Sequence, residues 1–223
     1  TIWGSDVLLL PNKSSVHRRM VQKALKGADK ITADAGFIEK NVTELIGDND
    51  FTTANFGIDL PALDIDLEKK ENIIYSNRLH NDLYNIHAVI NGFAEFYQNH
   101  KDWKLVIAGR GNNTDSLKQL AASLLPNSAY KFIGFVDYDT NMEYYQRASA
   151  YISIPSSDGT SVSLLEAMAS GAIPIVSDLP ANHEWITSGK NGIISEGNVA
   201  KALEASLKLD LVYLAAENNA IIE

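Results

Sequence analysis

From Ile73 onward the chain repeats one alternation, and it leaves few folds open. Short apolar runs rich in β-branched residues recur as "IIYS" (73–76), "KLVIAG" (104–109), "KFIGF" (131–135), "AYISI" (150–154), "IPIVS" (173–177) and "GIIS" (192–195). They are continuous rather than alternating with polar residues, as in strands covered on both faces of a parallel sheet. Between them lie stretches with helical spacing: "NIHAVINGFAEFYQNH" (85–100), "TDSLKQLAASLL" (114–125), "TNMEYYQRA" (140–148), "SVSLLEAMAS" (161–170) and "ANHEWITS" (181–188). In the first of these Ile86, Val89, Ile90, Phe93 and Tyr97 mark one face. Two more helices are predicted around 197–208 and 211–222. Strand and helix in such regular turn predict a Rossmann-like, doubly wound α/β domain over residues 66–223.

The first 65 residues read differently. "SVHRRMVQKALKGA" (15–28) is a helix ended by Gly27, "KITA" a short strand, 36–46 a second helix and "FTTAN" (51–55) a second strand. "FGIDLPALDIDLEKKEN" then brings a proline, alternating acids and a charge cluster, the texture of a linker. A boundary is therefore expected near 60–70, with residues 1–65 forming a separate α/β part.

Composition narrows the partners. A formal charge of −9 argues against nucleic acid as a partner and against broad attraction to anionic lipid. The chain has no cysteine, which removes thiolate metal sites, disulfides and cysteine nucleophiles together. That composition fits a cytoplasmic location. Apolar runs are too short for a membrane span, and "TIWGSDVLLLPN" has no charged leader and stops at Pro11. The absence of an initiating Met suggests a fragment whose true start is missing.

In an open α/β sheet, ligands collect at the carboxyl ends of the strands. Three such loops here are polar: 77–84, 109–115 and 155–161. The last enters "SSDGTSVSLLEAMASG" (156–171), which sets Asp158 on a glycine turn and Glu166 on the helix that follows. Gly159 permits torsions other residues resist, and the amides of Thr160, Ser161 and Val162 are expected to be open at the helix start. On that helix Val162, Leu165, Met168 and Ala169 read as an apolar stripe, Ser163, Glu166 and Ser170 as a polar one. Position alone favours a turn or capping role for Asp158 and a solvent-facing Glu166.

The spacing changes that balance. "FIGFVDYDTNMEYYQRASAYISIPSSDGTSVSLLEAMASGAIPIVSD" (132–178) resembles the family 4 retaining glycosyltransferases of the GT-B fold, which carry two acids with seven residues between them around such a loop and helix. Here the pair is Asp158 and Glu166, with Asp where Glu is usual. The resemblance extends through "IIYSNRL" (73–79), "WKLVIAGRG" (103–111) and "ITSGKNGII" (186–194), and the first 60 residues look like the end of that fold's N-terminal domain. It implies a hexosyltransferase of polysaccharide or glycoconjugate synthesis, using a UDP- or GDP-linked sugar and a glycan or lipid-linked acceptor. Most of the acceptor-binding half would be absent, so the fragment itself is expected to bind donor and transfer little or nothing. Peripheral contact with the inner face of a membrane would fall to that absent part. The resemblance implies that Glu166 receives ribose hydroxyls, Asp158 sugar hydroxyls, and the amides of Gly159 to Val162 the sugar or distal phosphate. It sets Arg78 against the diphosphate and the backbone of Phe135 and Val136 against the base, with no metal or cofactor required. One departure stands out: the family often has a Lys five or six positions after the Arg, and here "LHNDLYNI" offers Leu83 and Tyr84.

Other patterns carry less. "GRGNNT" (109–114) lacks both the third glycine and the later ribose-binding acid of a dinucleotide site. "GTSVS" (159–163) has Ser163 where a nucleophile elbow needs glycine, and Asp178 and His183 stand too close in sequence to come from separate loops. D-x-D pairs at Asp48/Asp50, Asp64/Asp66 and Asp137/Asp139 are near what an Asp-rich chain gives by chance, and the histidines show no metal-ligand spacing. A rival from another class is a non-catalytic nucleotide-sugar-binding module.

Overall fold

The computed structural model describes residues 1–55, 57, 58 and 65–222. Part of the expected linker, and Asp64 of one D-x-D pair, lie outside them. Two compact units result. One comprises Thr1–Gly57, Ser157–Val162 and Leu179–Glu184, and the larger one Ile58–Ser156, Ser163–Asp178 and Trp185–Glu223. The division is thus not a single cut, because two short later segments count with the N-terminal residues.

In the smaller unit the order is α1 (Ser5–Leu8), α2 (Ser15–Lys26), β1 (Ile31–Ala33), α3 (Ile38–Ile46) and β2 (Phe51–Thr53). Ser14 caps α2, its side chain accepting from the His17 amide, and Gly27 closes it. β1 and β2 run parallel with Ile31 opposite Phe51, and Ile2 bridges to Ala33. Ile2, Val7, Val21, Ile31, Ile38, Val42 and Leu45 fill the space between helices and strands. The "WGSD" segment starts the helical turn α1 behind Gly4, which has φ 95°.

The larger unit is built from β3 (Glu71–Ser76), α4 (Ile86–Phe96), β4 (Lys104–Ala108), α5 (Thr114–Leu124), β5 (Tyr130–Gly134), α6 (Tyr138–Arg147), β6 (Ala148–Ser153), α7 (Val162–Ala169), β7 (Ile173–Ser177), β8 (Ile193–Ser195), α9 (Val199–Ser206) and α10 (Leu211–Ile222). The strands form one sheet in the order β5-β4-β3-β6-β7-β8, each pair parallel. Successive strand residues point to opposite faces, and each face has its own core. Ile74, Leu105, Ile107, Ala150 and Ile152 pack on one side with α4, α5 and α9. Ile73, Tyr75, Val106, Ala108 and Tyr151 pack on the other, with Met142 and Tyr145 of α6. Two covered faces explain why these strands read as unbroken apolar runs.

This is the doubly wound fold expected from the sequence. β3 and β6 lie side by side at the centre, and the chain leaves them in opposite directions across the sheet. Such a reversal of strand order marks the switch point at whose carboxyl ends open α/β sheets bind ligands.

Two expectations need correction. The helix expected over 181–188 is a single turn, α8 (Pro180–His183), opened by Pro180 and counted with the smaller unit. α7 is not two-sided: Leu164, Leu165, Ala167, Met168 and Ala169 are all buried, and so is Ser170, whereas Val162 is 42% exposed. A helix apolar almost all round is an interior helix.

Candidate functional site

In the larger unit the carboxyl end of β3 organises a cluster of polar side chains. Asn77, the first residue past the strand, donates from its amide to Asn141 Oδ1 at 2.9 Å and to the Tyr145 hydroxyl at 2.7 Å. The Tyr75 hydroxyl donates to the same Asn141 oxygen at 2.7 Å. Asn141 then turns its own amide toward Glu166 Oε2 at 3.4 Å. α6 supplies Asn141 and Tyr145 one turn apart, so both reach the same spot. The Tyr145 hydroxyl also hydrogen-bonds the Glu166 carboxylate.

Glu166 is half-buried on α7. Burial pushes its carboxyl above the usual range, and the Tyr145 and Asn141 hydrogen bonds pull partly back. In this network Asn77 Oδ1 is buried without a hydrogen-bond partner. Unmet capacity at the mouth of a strand next to a braced carboxylate suits a ligand bearing hydroxyl groups.

Arg78 follows Asn77, and its guanidinium lies 4.4 Å from the centre of the Tyr84 ring. The backbone here is pressed against the next loop. A Cβ on Gly109 would stand 2.5 Å from the Arg78 carbonyl oxygen, and one on Gly111 would stand 2.4 Å from that of His80. Gly109 also has φ 100°, a torsion that favours glycine. The two loops are then bonded together: the His80 amide donates to Arg110 O at 3.2 Å and the Asn113 amide to His80 O at 2.9 Å.

The His80 ring is buried between them. Nε2 lies 3.2 Å from the Ala108 carbonyl, which can only accept, so that nitrogen carries the proton; Nδ1 meets Thr114 Oγ1 at 2.9 Å. Burial pushes the imidazole down from its ordinary value, toward the neutral form. Phe135, beyond β5, is 73% exposed with the Arg110 guanidinium 5.5 Å from its ring, and Val136 is half-buried.

Asp158, Gly159, Thr160, Ser161 and Val162 belong to the smaller unit. There Thr160 Oγ1 donates to the Asp34 carbonyl oxygen at 2.6 Å, and the Thr160 amide hydrogen-bonds the Asp34 carboxylate. The expected open amide at Thr160 is therefore taken. Gly159 is needed for space rather than for torsion: its φ is not positive, yet a Cβ there would meet Asp34 Oδ2 at 2.7 Å. Asp34 is 3% exposed and its Oδ1 has no hydrogen-bond partner. Burial, with Asp158 and Asp6 adding repulsion, holds its carboxyl above the usual range.

Asn77, Tyr84, Asn141, Tyr145 and Asp34 carry no motif in the sequence and are visible only once the fold brings them to Glu166, Arg78 and Gly159. Two of the D-x-D residues have ordinary work. Asp137 caps α6 through the Thr140 amide at 2.9 Å, and Asp50 lies 3.9 Å from Lys30. Among the described residues no helix is long and apolar enough to cross a membrane.

Residues 64–212 match the family described as Glycosyl transferases group 1. An uncharacterized glycosyltransferase of Methanocaldococcus jannaschii is 27% identical over 205 residues, covering 87% of this chain and 51% of that protein. The alpha-monoglucosyldiacylglycerol synthase of Streptococcus pneumoniae is 30% identical over 113 residues, covering 51% of this chain and 26% of that protein. Among solved structures, a variant of TarM from S. aureus in complex with Fondaparinux, alpha-GlcNAc-glycerol and UDP superposes with a TM-score of 0.84 at 14% identity, covering 99% of this chain and 45% of that one. The chain thus spans about half the length of the first relative and about a quarter of the second.

Proposed function

The chain belongs to the Glycosyl transferases group 1 family, and from that premise we propose that it forms the donor-binding half of a retaining, family 4-like hexosyltransferase. The reaction moves a hexose from a UDP- or GDP-linked donor to a glycan or lipid-linked acceptor. Glu166 carries the reading. A carboxylate braced by Asn141 and Tyr145 beside the end of β3, with Asn77 holding unmet hydrogen-bonding capacity, suits the paired hydroxyls of a ribose. The relatives add support: TarM is a complex with UDP, and the pneumococcal relative is named for a glucosyl lipid.

In this reading Arg78 meets the diphosphate, where its planar fork suits phosphate oxygens. The departing nucleoside diphosphate gains negative charge in the transition state, and fixed donors aimed at it lower the barrier. Asp158 takes hydroxyls of the transferred sugar, with the amides of Gly159, Ser161 and Val162 facing sugar or phosphate. The backbone of Phe135 and Val136 meets the base. Arg78 and these amides supply the positive field, so no metal is invoked.

Calorimetry with UDP, GDP and their sugars tests the proposal. Glu166→Ala should weaken nucleotide binding about tenfold or more, as expected for loss of a charge-assisted hydrogen bond. In the full-length protein Asp158→Ala should chiefly lower transfer. Unchanged nucleotide affinity in Glu166→Ala would overturn the ribose role. Donor binding by full-length protein with neither transfer nor donor hydrolysis would instead indicate a non-catalytic module.

A further inference from the structure

The family resemblance leads one to expect a second cation five or six residues after Arg78, and the chain has Leu83 and Tyr84 there. The structure puts the Tyr84 ring to use: its centre is 4.4 Å from the Arg78 guanidinium carbon. We infer that Tyr84 is a positioning residue that holds Arg78 in a phosphate-ready orientation, so that one ordered cation serves where two would otherwise be expected. This rests on the proposed donor site.

The argument begins with how firmly the ring is held. Asn81 caps the short turn Asp82–Tyr84 through the Leu83 amide at 3.1 Å. The Ser156 amide donates to the Leu83 carbonyl at 2.8 Å, and the Asn85 side chain donates to the Ile154 carbonyl at 3.0 Å. Tyr84 therefore sits between two residues that are each tied to the segment following β6. Asn85 completes the turn at φ 51°, a left-handed torsion that asparagine tolerates better than most side chains. The ring also packs against the core of the larger unit. It is a fixed platform.

A guanidinium over an aromatic face is attracted to the ring quadrupole. The N–H donors of a guanidinium lie in one plane, in the fork that suits phosphate oxygens. An arginine held this way loses less side-chain freedom when it forks onto a diphosphate. The Arg78 backbone is fixed as well, with its carbonyl pressed against Gly109. Tyr84 and Asn85 thus have separate tasks, one orienting the cation and the other fastening the turn to the neighbouring strand.

The test measures binding of UDP, GDP and inorganic pyrophosphate, with uridine and guanosine as controls that carry no phosphate. Tyr84→Leu should weaken diphosphate and pyrophosphate binding by about 2- to 30-fold, the range of a cation–π contact, and leave the nucleosides unchanged. Tyr84→Phe keeps the ring face and should bind as the wild type does. In an Arg78→Ala background Tyr84→Leu should cost nothing more. The inference is overturned if Tyr84→Leu binds UDP and GDP as wild type does, if Tyr84→Phe is as weak as Tyr84→Leu, or if the loss persists without Arg78. In those cases the donor reading stands. Binding of neither nucleotide by the wild-type chain would instead overturn the donor reading, and the role of Tyr84 with it.

Discussion

Replacing Asn141 by Leu probes the network beneath Glu166 most directly, because the branching at Cγ is kept while three hydrogen bonds are removed. The losses are unequal. The Tyr75 hydroxyl loses the acceptor it holds at 2.7 Å, in a residue with no exposed surface. Asn77 loses one acceptor at 2.9 Å but keeps the Tyr145 hydroxyl at 2.7 Å. Glu166 loses a donor at 3.4 Å, long enough to count for little in stability. A buried donor left without a partner costs about 1–3 kcal/mol, and the partly served Asn77 adds a fraction of that. The expected loss is about 2–3 kcal/mol. Urea unfolding of the ligand-free chain should show it as a lower midpoint at unchanged slope.

The same substitution has a functional reading. Burial already raises the Glu166 carboxyl, and Asn141 is one of two groups pulling it back. Without Asn141 the carboxyl should rise further. A carboxylate that accepts hydroxyl groups must be ionised, so nucleotide affinity falls as pH drops through the Glu166 value. In the variant that fall should begin at higher pH. The sign on stability runs the opposite way. A carboxyl raised in the folded state binds protons more tightly there than unfolded, so its contribution is full below the unfolded value and is lost as pH rises through the folded one. A stability loss under about 0.5 kcal/mol, or a pH profile of binding that does not move, would refute this account of Asn141.

Two further substitutions test the frame around the site. Gly159→Ala should destabilise the smaller unit by about 1–3 kcal/mol, because the new Cβ would meet Asp34 Oδ2 at 2.7 Å; thermal unfolding matching the wild type would show that Asp34 can yield. Lys70 donates to the carbonyls of Tyr145, Ala148 and Ser170 at 2.8–2.9 Å, and burial pushes its ammonium down to about 7. Between that value and the ordinary one near 10.4 the unfolded chain keeps a proton that the folded chain releases. The stability of the wild type relative to Lys70→Met should therefore climb as pH rises from 7 toward 10, and a flat or falling difference in urea unfolding would refute the lowered value.

What could be read from the sequence divides along a physical line. Strands covered on both faces leave unbroken apolar runs, and β3 to β8 were legible for that reason, as was the α4 face of Ile86, Val89, Ile90, Phe93 and Tyr97. Such signals are local and repeat with a period. α7 misled because apolar residues on its "polar" side, Leu164 and Ala167, are small in number and interleaved with serines, so period alone could not reveal that Ser170 is also enclosed. The residues bracing the site leave no periodic trace at all. Asn141 reaches Glu166 across 25 residues, Asn77 reaches Tyr145 across 68, and Thr160 reaches Asp34 across 126.

Gly159 makes the distinction plain. A glycine between Asp158 and Thr160 reads as a turn residue chosen for its torsions, yet the torsion is one any residue adopts, and the demand comes from a carboxylate far back in the chain. Local sequence can announce that a side chain must be absent. Only the fold says what stands in the space it would have filled, and it is that neighbour, Asp34, that ties the turn bearing Asp158 into its unit.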